Sequence, residues 1–408
     1  MVGCGLALLV TVATAAPGAA ALTNWQSALD CFKQAGARIG DNKLAEAATA
    51  LSAGSTNFAA PYNSMAAAFA GQLESIRKSP ADPKDPKRTR ATIQLCAALR
   101  AYDVAVRLQA ASNTAEDLAD DPAYAWRLFE SGNLAGALAA YRRKLQDEAV
   151  ESFVNHYREQ IRLVEERPAN LTNVSFSLRL VKEHYLRGFE EKADVLGALQ
   201  ELHRVLPHAK SSKESVAVIA AMIDRLSQLN DEAGRAAWED RILNGFKQEP
   251  EACANVLLER GLRAFGRTNL AEALTLCRKV CSEYPDTAAY GDAQYTVGLI
   301  FQREGKFEDA IAEFQKIFPS KVRDHDLDLE KSDDYKNYRH RTALRISECY
   351  AARKDFAQAL AYAEQARDRY LFLSWCKTCL AEYKAGLERR LAELRAELAK
   401  ASAPAQTP

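Results

Sequence analysis

Three stretches of the chain carry the same residue types at the same spacing, and a chain that repeats itself in this way folds by stacking like units. They run ANVLLERGLRAFGRTNLAEALTLCRKVCSEYPD, AQYTVGLIFQREGKFEDAIAEFQKIF and ALRISECYAARKDFAQALAYAEQA. Aligned on Ala273, Ala310 and Ala359, each has a small residue twelve positions upstream: Gly261, Gly298 and Ser347. Three positions before the anchor stand Leu270, Phe307 and Phe356, and four after it stand Cys277, Phe314 and Ala363. A fourth stretch, AYAWRLFESGNLAGALAAYRRKL, puts Ala125, Gly132, Leu134, Ala137 and Tyr141 in the same frame. Residues 195–207 read as a degenerate second helix of the same kind. This periodicity predicts a stack of helix pairs rather than an enclosed catalytic pocket.

The pattern resembles the tetratricopeptide repeat (TPR), a helix–turn–helix unit of about 34 residues. In that family a small residue lets the paired helices approach closely, which Gly261 and Gly298 match and Ser347 tolerates. The family's following aromatic is matched by Phe301 and Tyr350; Ala264 departs, with Phe265 one place along. Gly305 suits the turn because glycine accepts positive φ, whereas Thr268 and Lys354 suit it less well. Ala273, Ala310 and Ala359 would pack back on the first helix, with Phe314 beside them in the second repeat, and Pro285 falls at the family's closing proline. The resemblance implies an all-α fold, a right-handed α-solenoid of stacked antiparallel helix pairs.

It also implies a concave groove, lined by the first helix of each pair and holding an extended peptide or a partner helix. The groove positions carried over are Leu258, Leu262 and Phe265; then Tyr295, Leu299, Gln302 and Arg303; then Arg341, Leu344, Arg345 and Glu348. Such a groove would be apolar and aromatic at one end and basic at the other. The family's Lys/Asn clamp for a C-terminal carboxylate is missing, since Leu258, Tyr295 and Leu344 stand where its lysine would be. That argues against an adaptor for chaperone tails.

Balanced charge, with 54 basic and 54 acidic residues among 408, argues against a nucleic-acid partner. Residues 1–21 read as a secretory signal peptide with an apolar core from Leu6 to Val12. Small residues at Ala13 and Ala15, or Ala19 and Ala21, allow cleavage, but no basic residue precedes the core. The expectation is a periplasmic or secreted protein with no integral membrane span once the leader is removed. Cys4 follows Gly3 as in a lipoprotein box, yet no apolar run precedes it.

Residues 22–120 show helical spacing without a clean repeat, with Trp25, Ala28, Leu29, Phe32 and Ala35 on one face. A linker is expected around Pro80, Pro83 and Pro86. Residues 121–150 form a helix pair, and 151–252 continue as helices with degenerate repeats, broken at Pro168 and Pro207. The span 253–372 holds the three repeats, with an insertion at 319–338. Asn170 and Asn173 open glycosylation patterns, read here as a polar loop. Residues 373–400 are expected to cap the stack through Leu387, Leu391, Leu394 and Leu398, and 401–408 to be a disordered tail.

Chemistry-bearing motifs are sparse. Beyond the leader lie Cys31, Cys96, Cys253, Cys277, Cys281, Cys349, Cys376 and Cys379. Buried helical packing and disulfide pairing both fit them, a bridge across the 253–281 helix pair included. Trp375-Cys-Lys-Thr-Cys379 spells the WCxxC of thioredoxin-like sites, but its surroundings read as continuous helix. Asp324, Asp326 and Asp328 begin like a calcium loop that Leu329 and Tyr335 spoil. No metal, cofactor or catalytic constellation is expected. The leading reading is a non-enzymatic scaffold of the cell envelope that binds another protein or peptide. The alternatives are a thiol-disulfide redox factor using Cys376 and Cys379, and an accessory binding subunit of an envelope enzyme.

Overall fold

The unit that recurs is a turn. The computed structural model describes residues 19–78, 85–113, 118, 121–186, 194–322, 337–370, 372–374 and 376–402. Within them Asn42, Arg100, Gly132, Asn230, Thr268, Gly305 and Lys354 each hold a positive φ, between 58° and 84°, in the turn that joins two antiparallel helices. At each turn the next residue's N–H reaches back five residues at 2.8 or 2.9 Å, as from Lys43 to the Arg38 carbonyl and from Asn269 to that of Ala264. This satisfies carbonyls that the end of the first helix leaves without partners. At four turns the residue making that bond also caps the second helix, Asn133, Asp231, Asn269 and Asp355 accepting from the N–H three residues on.

Five residues beyond the left-handed position stands a fully buried alanine: Ala47, Ala105, Ala137, Ala273, Ala310 and Ala359. Only the turn at Asn230 differs, with Arg235 there. The repeat therefore extends into 22–120, where sequence spacing shows none that is clean, while in 151–252 the turn recurs at Asn230 without the alanine. Helix packing needs only a small residue and a left-handed turn at these places, so the other positions have diverged.

The described residues are helical and form two compact units, one ending at Asn244 and the other beginning at Gly245. Unit 1 comprises α1 (Ala19–Gly40), α2 (Leu44–Asn57), α3 (Ala60–Lys78), α4 (Pro86–Ala98), α5 (Tyr102–Ser112), α6 (Pro122–Glu130), α7 (Leu134–Asp147) and α8 (Glu151–Glu166). It continues with α9 (Val174–Leu180), α10 (Val195–Val205), α11 (Ser212–Gln228) and α12 (Glu232–Gly245). Helix α9 runs into a π-helical turn over Val181–Tyr185. Helix α10 is the second helix expected at 195–207, opened by the Asp194 side chain accepting from Gly197 N–H at 2.8 Å.

The chain of unit 1 comes back on itself. Lys33 of α1 donates to Gln200 of α10 at 3.1 Å, and the Trp25 ring meets His203 edge-on at 5.6 Å. Tyr62 of α3 donates to Asp231 at 2.8 Å in a buried contact. Residues 22–78 are thus one face of this unit's core rather than a separate piece. Asn173 caps α9 by accepting from Phe176 N–H at 3.0 Å, which fits the polar-loop reading of that segment.

Unit 2 stacks α13 (Pro250–Gly266) on α14 (Leu270–Glu283), α15 (Ala289–Arg303) on α16 (Phe307–Gln315) and α17 (Tyr338–Ala352) on α18 (Phe356–Asp368). A Cβ on Gly261 would stand 2.9 Å from the Cys277 sulfur, and one on Gly298 would overlap the Phe314 ring. Ser347 answers the same closeness differently, its hydroxyl donating to the Ala359 carbonyl at 2.6 Å. Helix α14 ends at Glu283, two residues before Pro285. Helix α19 (Lys377–Ser402) lays Leu387, Leu391 and Leu394 on Ala359 and Ala363, and so caps the last pair. It runs through Ala401 and Ser402, which the sequence assigned to a disordered tail. Residues 1–18 of the expected leader, Pro80 and Pro83 of the linker, and the Asp324–Asp328 run of the insertion lie outside the described residues.

Candidate functional site

The first helices of unit 2 carry the groove positions, and packing has already claimed most of the apolar ones. Leu258 and Tyr295 are buried. Phe265 packs on the cluster of Ala264, Ala273 and Ile300, and Leu344 on the cluster that includes Leu387 and Leu391. Leu262 and Leu299 are half-buried. At the apolar end of the expected groove Leu258 is thus buried, while Leu262 and Phe265 remain half-buried.

The polar positions come together. Arg345 Nε donates to Tyr295 Oη at 3.2 Å, and its Nη1 meets Glu348 Oε2 at 2.8 Å. Gln302 Nε2 donates to the same Glu348 oxygen at 3.1 Å, and the Arg341 guanidinium lies 4.6 Å over the Tyr295 ring. The network ties α15 to α17, so its geometry is fixed by the stacking of two pairs. Burial works against the charge on Arg345, but the hydrogen bond it donates to Tyr295 and the carboxylate of Glu348 overcome it and raise its pKa. Arg303 and Arg341 are exposed, with Arg303 also 5.6 Å over the Phe265 ring.

One residue of this face was not legible in the repeat. Tyr383 of α19 meets His340 Nε2 at 2.5 Å and stacks on Phe372 with centroids 3.9 Å apart. Its hydroxyl pKa is pushed up to about 12 by burial and then by Tyr295, with Glu348 adding and Arg341 opposing. His340 Nδ1 donates to the Tyr370 carbonyl at 2.9 Å, which leaves Nε2 to accept from Tyr383. Asn337 exchanges two hydrogen bonds with the Leu373 backbone, at 2.9 and 3.0 Å, and pins the segment leading to α19.

That segment changes the reading of Cys376 and Cys379. Continuous helix was expected here, but α18 ends at Asp368 and α19 starts at Lys377. Cys376 therefore precedes a 26-residue helix, and it is joined to Cys379 by a disulfide. Its sulfur accepts the Cys379 N–H at 3.1 Å, while Ser374 Oγ accepts the Cys376 N–H at 3.2 Å. Trp375 lies outside the described residues. The other cysteines beyond the leader are free thiols, so the proposed bridge among Cys253, Cys277 and Cys281 is not formed. Burial pushes the Cys96, Cys277 and Cys281 thiols up to about 12 and Cys349 up to about 11.

Unit 1 holds a polar centre that no motif announced. Arg100, at the left-handed position of its turn, pairs with Glu130 at 2.7 Å and also with Asp194. Tyr102 donates to Asp194 at 3.0 Å, and His184 Nε2 meets Glu130 at 3.2 Å. Trp126 stacks on His184 at 5.4 Å. Burial alone would raise the Glu130 pKa, but Arg100 and then His184 hold it at about 2. The His184 pKa is lowered by burial against the pull of Glu130. Arg100, Tyr102 and Trp126 also line a cavity of about 1670 Å³, together with Gln94, Gln109 and Arg127. These residues are scattered through the sequence at no repeating spacing, so only the fold assembles them.

No helix among the described residues is long and apolar enough to cross a membrane. No protein-family model matches the chain, and no curated protein matches it. Among solved structures, the crystal structure of the P58(IPK) TPR domain is similar to this chain at 13% identity, covering 93% of this chain and all of that one, with a TM-score of 0.28. The pairing of helices described above rests on their own contacts, and those contacts make the chain an all-α protein of stacked helix pairs.

Proposed function

We propose that the protein is a non-enzymatic interaction scaffold of the cell envelope, and that unit 2 binds a partner polypeptide on the face formed by α13, α15 and α17. The observation that carries this reading is the Tyr295–Arg345–Glu348–Gln302 network. It is held across two helix pairs before any partner arrives, so little side-chain freedom is lost on binding. Arg303 and Arg341 flank it, exposed and cationic, which favours an extended or helical segment carrying carboxylates. Export rests on the apolar, small-residue start of the chain.

The test is a pull-down from envelope extract with the wild type beside an Arg303→Glu, Arg341→Glu variant. Both side chains are exposed, so the helical circular dichroism should be unchanged. A partner held by wild type and lost by the folded variant supports the face. An identical partner list from both proteins would remove this face as the docking surface.

A further inference from the structure

We infer that the Cys376–Cys379 disulfide is an exchangeable thiol-disulfide site for a dithiol on a partner protein, attacked at Cys379 and releasing Cys376. The inference does not depend on the docking face proposed above. Cys379 is exposed and Cys376 half-buried, so the Cys379 side of the disulfide is the more open to an incoming thiolate. The group that must leave is then the Cys376 thiolate. Its sulfur already accepts the Cys379 N–H at 3.1 Å and sits at the N-terminus of a 26-residue helix, where backbone N–H groups and the helix dipole favour negative charge. A better-stabilised leaving thiolate leaves faster. Both features point the same way, toward scission with Cys376 as the leaving group.

The exchange balances without any further reagent. The partner's first thiolate forms a bond to Cys379 Sγ, the Cys376–Cys379 bond breaks, and its electron pair stays on Cys376. The partner's second thiolate then attacks its own sulfur in the mixed disulfide and releases the Cys379 thiolate. Two electrons and two protons pass from the partner dithiol to this chain, and the partner leaves as a disulfide.

The remaining cysteines of the described chain do not compete. Cys96, Cys253, Cys277 and Cys349 are buried, and burial raises the pKa of each. Cys31 and Cys281 are half-buried and raised for the same reason. The site also borders the polar face of unit 2. Cys379 and Tyr383 are four residues apart on one side of α19, about 6 Å along the axis, and Tyr383 packs on His340.

The experiment uses the full chain. Accessible free thiols are blocked with N-ethylmaleimide, the protein is exposed briefly to reduced glutathione, and new thiols are trapped with an isotopically distinct maleimide before peptide mapping. The expected product carries glutathione on Cys379 and the second maleimide on Cys376, with at least a tenfold excess over the reverse pattern. In the reduced protein, the alkylation midpoint of Cys376 should lie below the free-cysteine value of about 8.5 and below that of Cys379. Glutathione found mainly on Cys376 would overturn the assignment of the attacked sulfur. A disulfide that reacts only after denaturation would overturn exchange altogether.

Discussion

Arg100 and Glu130 meet at 2.7 Å inside unit 1, a guanidinium in the left-handed turn after α4 against the carboxylate at the end of α6. Their side chains are 7% and 3% exposed, so neither charge has water to fall back on if the other is removed. Breaking such a pair by truncating one member costs about 3–5 kcal/mol, most of it the stranded charge. Glu130→Ala should therefore lower the stability of unit 1 by up to that amount, Arg100 keeping Asp194 as its remaining carboxylate, read as faster hydrogen exchange across α4–α10. An Arg100→Met, Glu130→Leu double variant should recover only part of the loss, because it leaves Asp194 without Arg100 and His184 without Glu130. Equal losses in the two proteins would show that the pair matters only for packing.

The same carboxylate sets a pH dependence. Glu130 is held at about 2 in the folded protein, below an unfolded value of about 4.3. Its contribution is fully present above the unfolded value and is lost as pH falls from about 4.3 toward 2. Over that window the loss is on the order of 3 kcal/mol. Acid titration of unit 1 stability should show this limb in wild type, and Glu130→Gln should flatten it. A limb of the same depth in the variant would assign the acid sensitivity to other carboxylates.

Gly298 sets the distance between α15 and α16. A Cβ there overlaps the Phe314 ring, and Phe314 is fully buried, so the ring has nowhere to go. Gly298→Ala should cost about 1–3 kcal/mol by overpacking despite alanine's better helix propensity. Gly298→Ala with Phe314→Leu should be less damaging than the sum of the single changes. A neutral or stabilising Gly298→Ala in urea unfolding would mean that the pair relaxes apart freely.

Thr268 holds φ at 62° in the turn between α13 and α14, a conformation that a β-branched residue strongly resists. Thr268→Gly relieves that strain while adding freedom to the unfolded chain, and the balance should stabilise unit 2 by about 0.5–1 kcal/mol. At Gly305, where the family-like glycine already stands at φ 76°, Gly305→Thr should be destabilising by a similar amount or more. Thermal unfolding of the two variants should move in opposite directions, and a shift of the same sign in both would refute the shared-turn argument.

What the sequence made legible follows from chemistry that acts locally. Ala273, Ala310 and Ala359 announced the pairs because a second helix can approach the first only over a small side chain. Pro285 and Gly305 marked an end and a turn because backbone geometry alone demands them. In α1–α5 the same architecture was hidden. Asn42 and Arg100 take the left-handed turn without glycine, and Ala47 and Ala105 stand in surroundings that share nothing else with the later repeats. The groove was legible as polar positions on one face, but not as the tie that Arg345, Glu348 and Gln302 make.

The sequence by itself therefore determined the helix pairs of unit 2 and their turns, since these depend on residues within one repeat of each other. The tertiary structure decided which apolar groove residues were already spent on packing, as Leu258 and Leu344 were. It brought Tyr383 of α19 onto His340 of α17, and gathered Arg100, Glu130, His184 and Asp194 into one buried centre. It also ended α18 before Cys376, which turned a motif read as continuous helix into a disulfide at a helix start. The disulfide aside, these are contacts between residues far apart in the chain, chosen by how helices stack, and no local spacing records them.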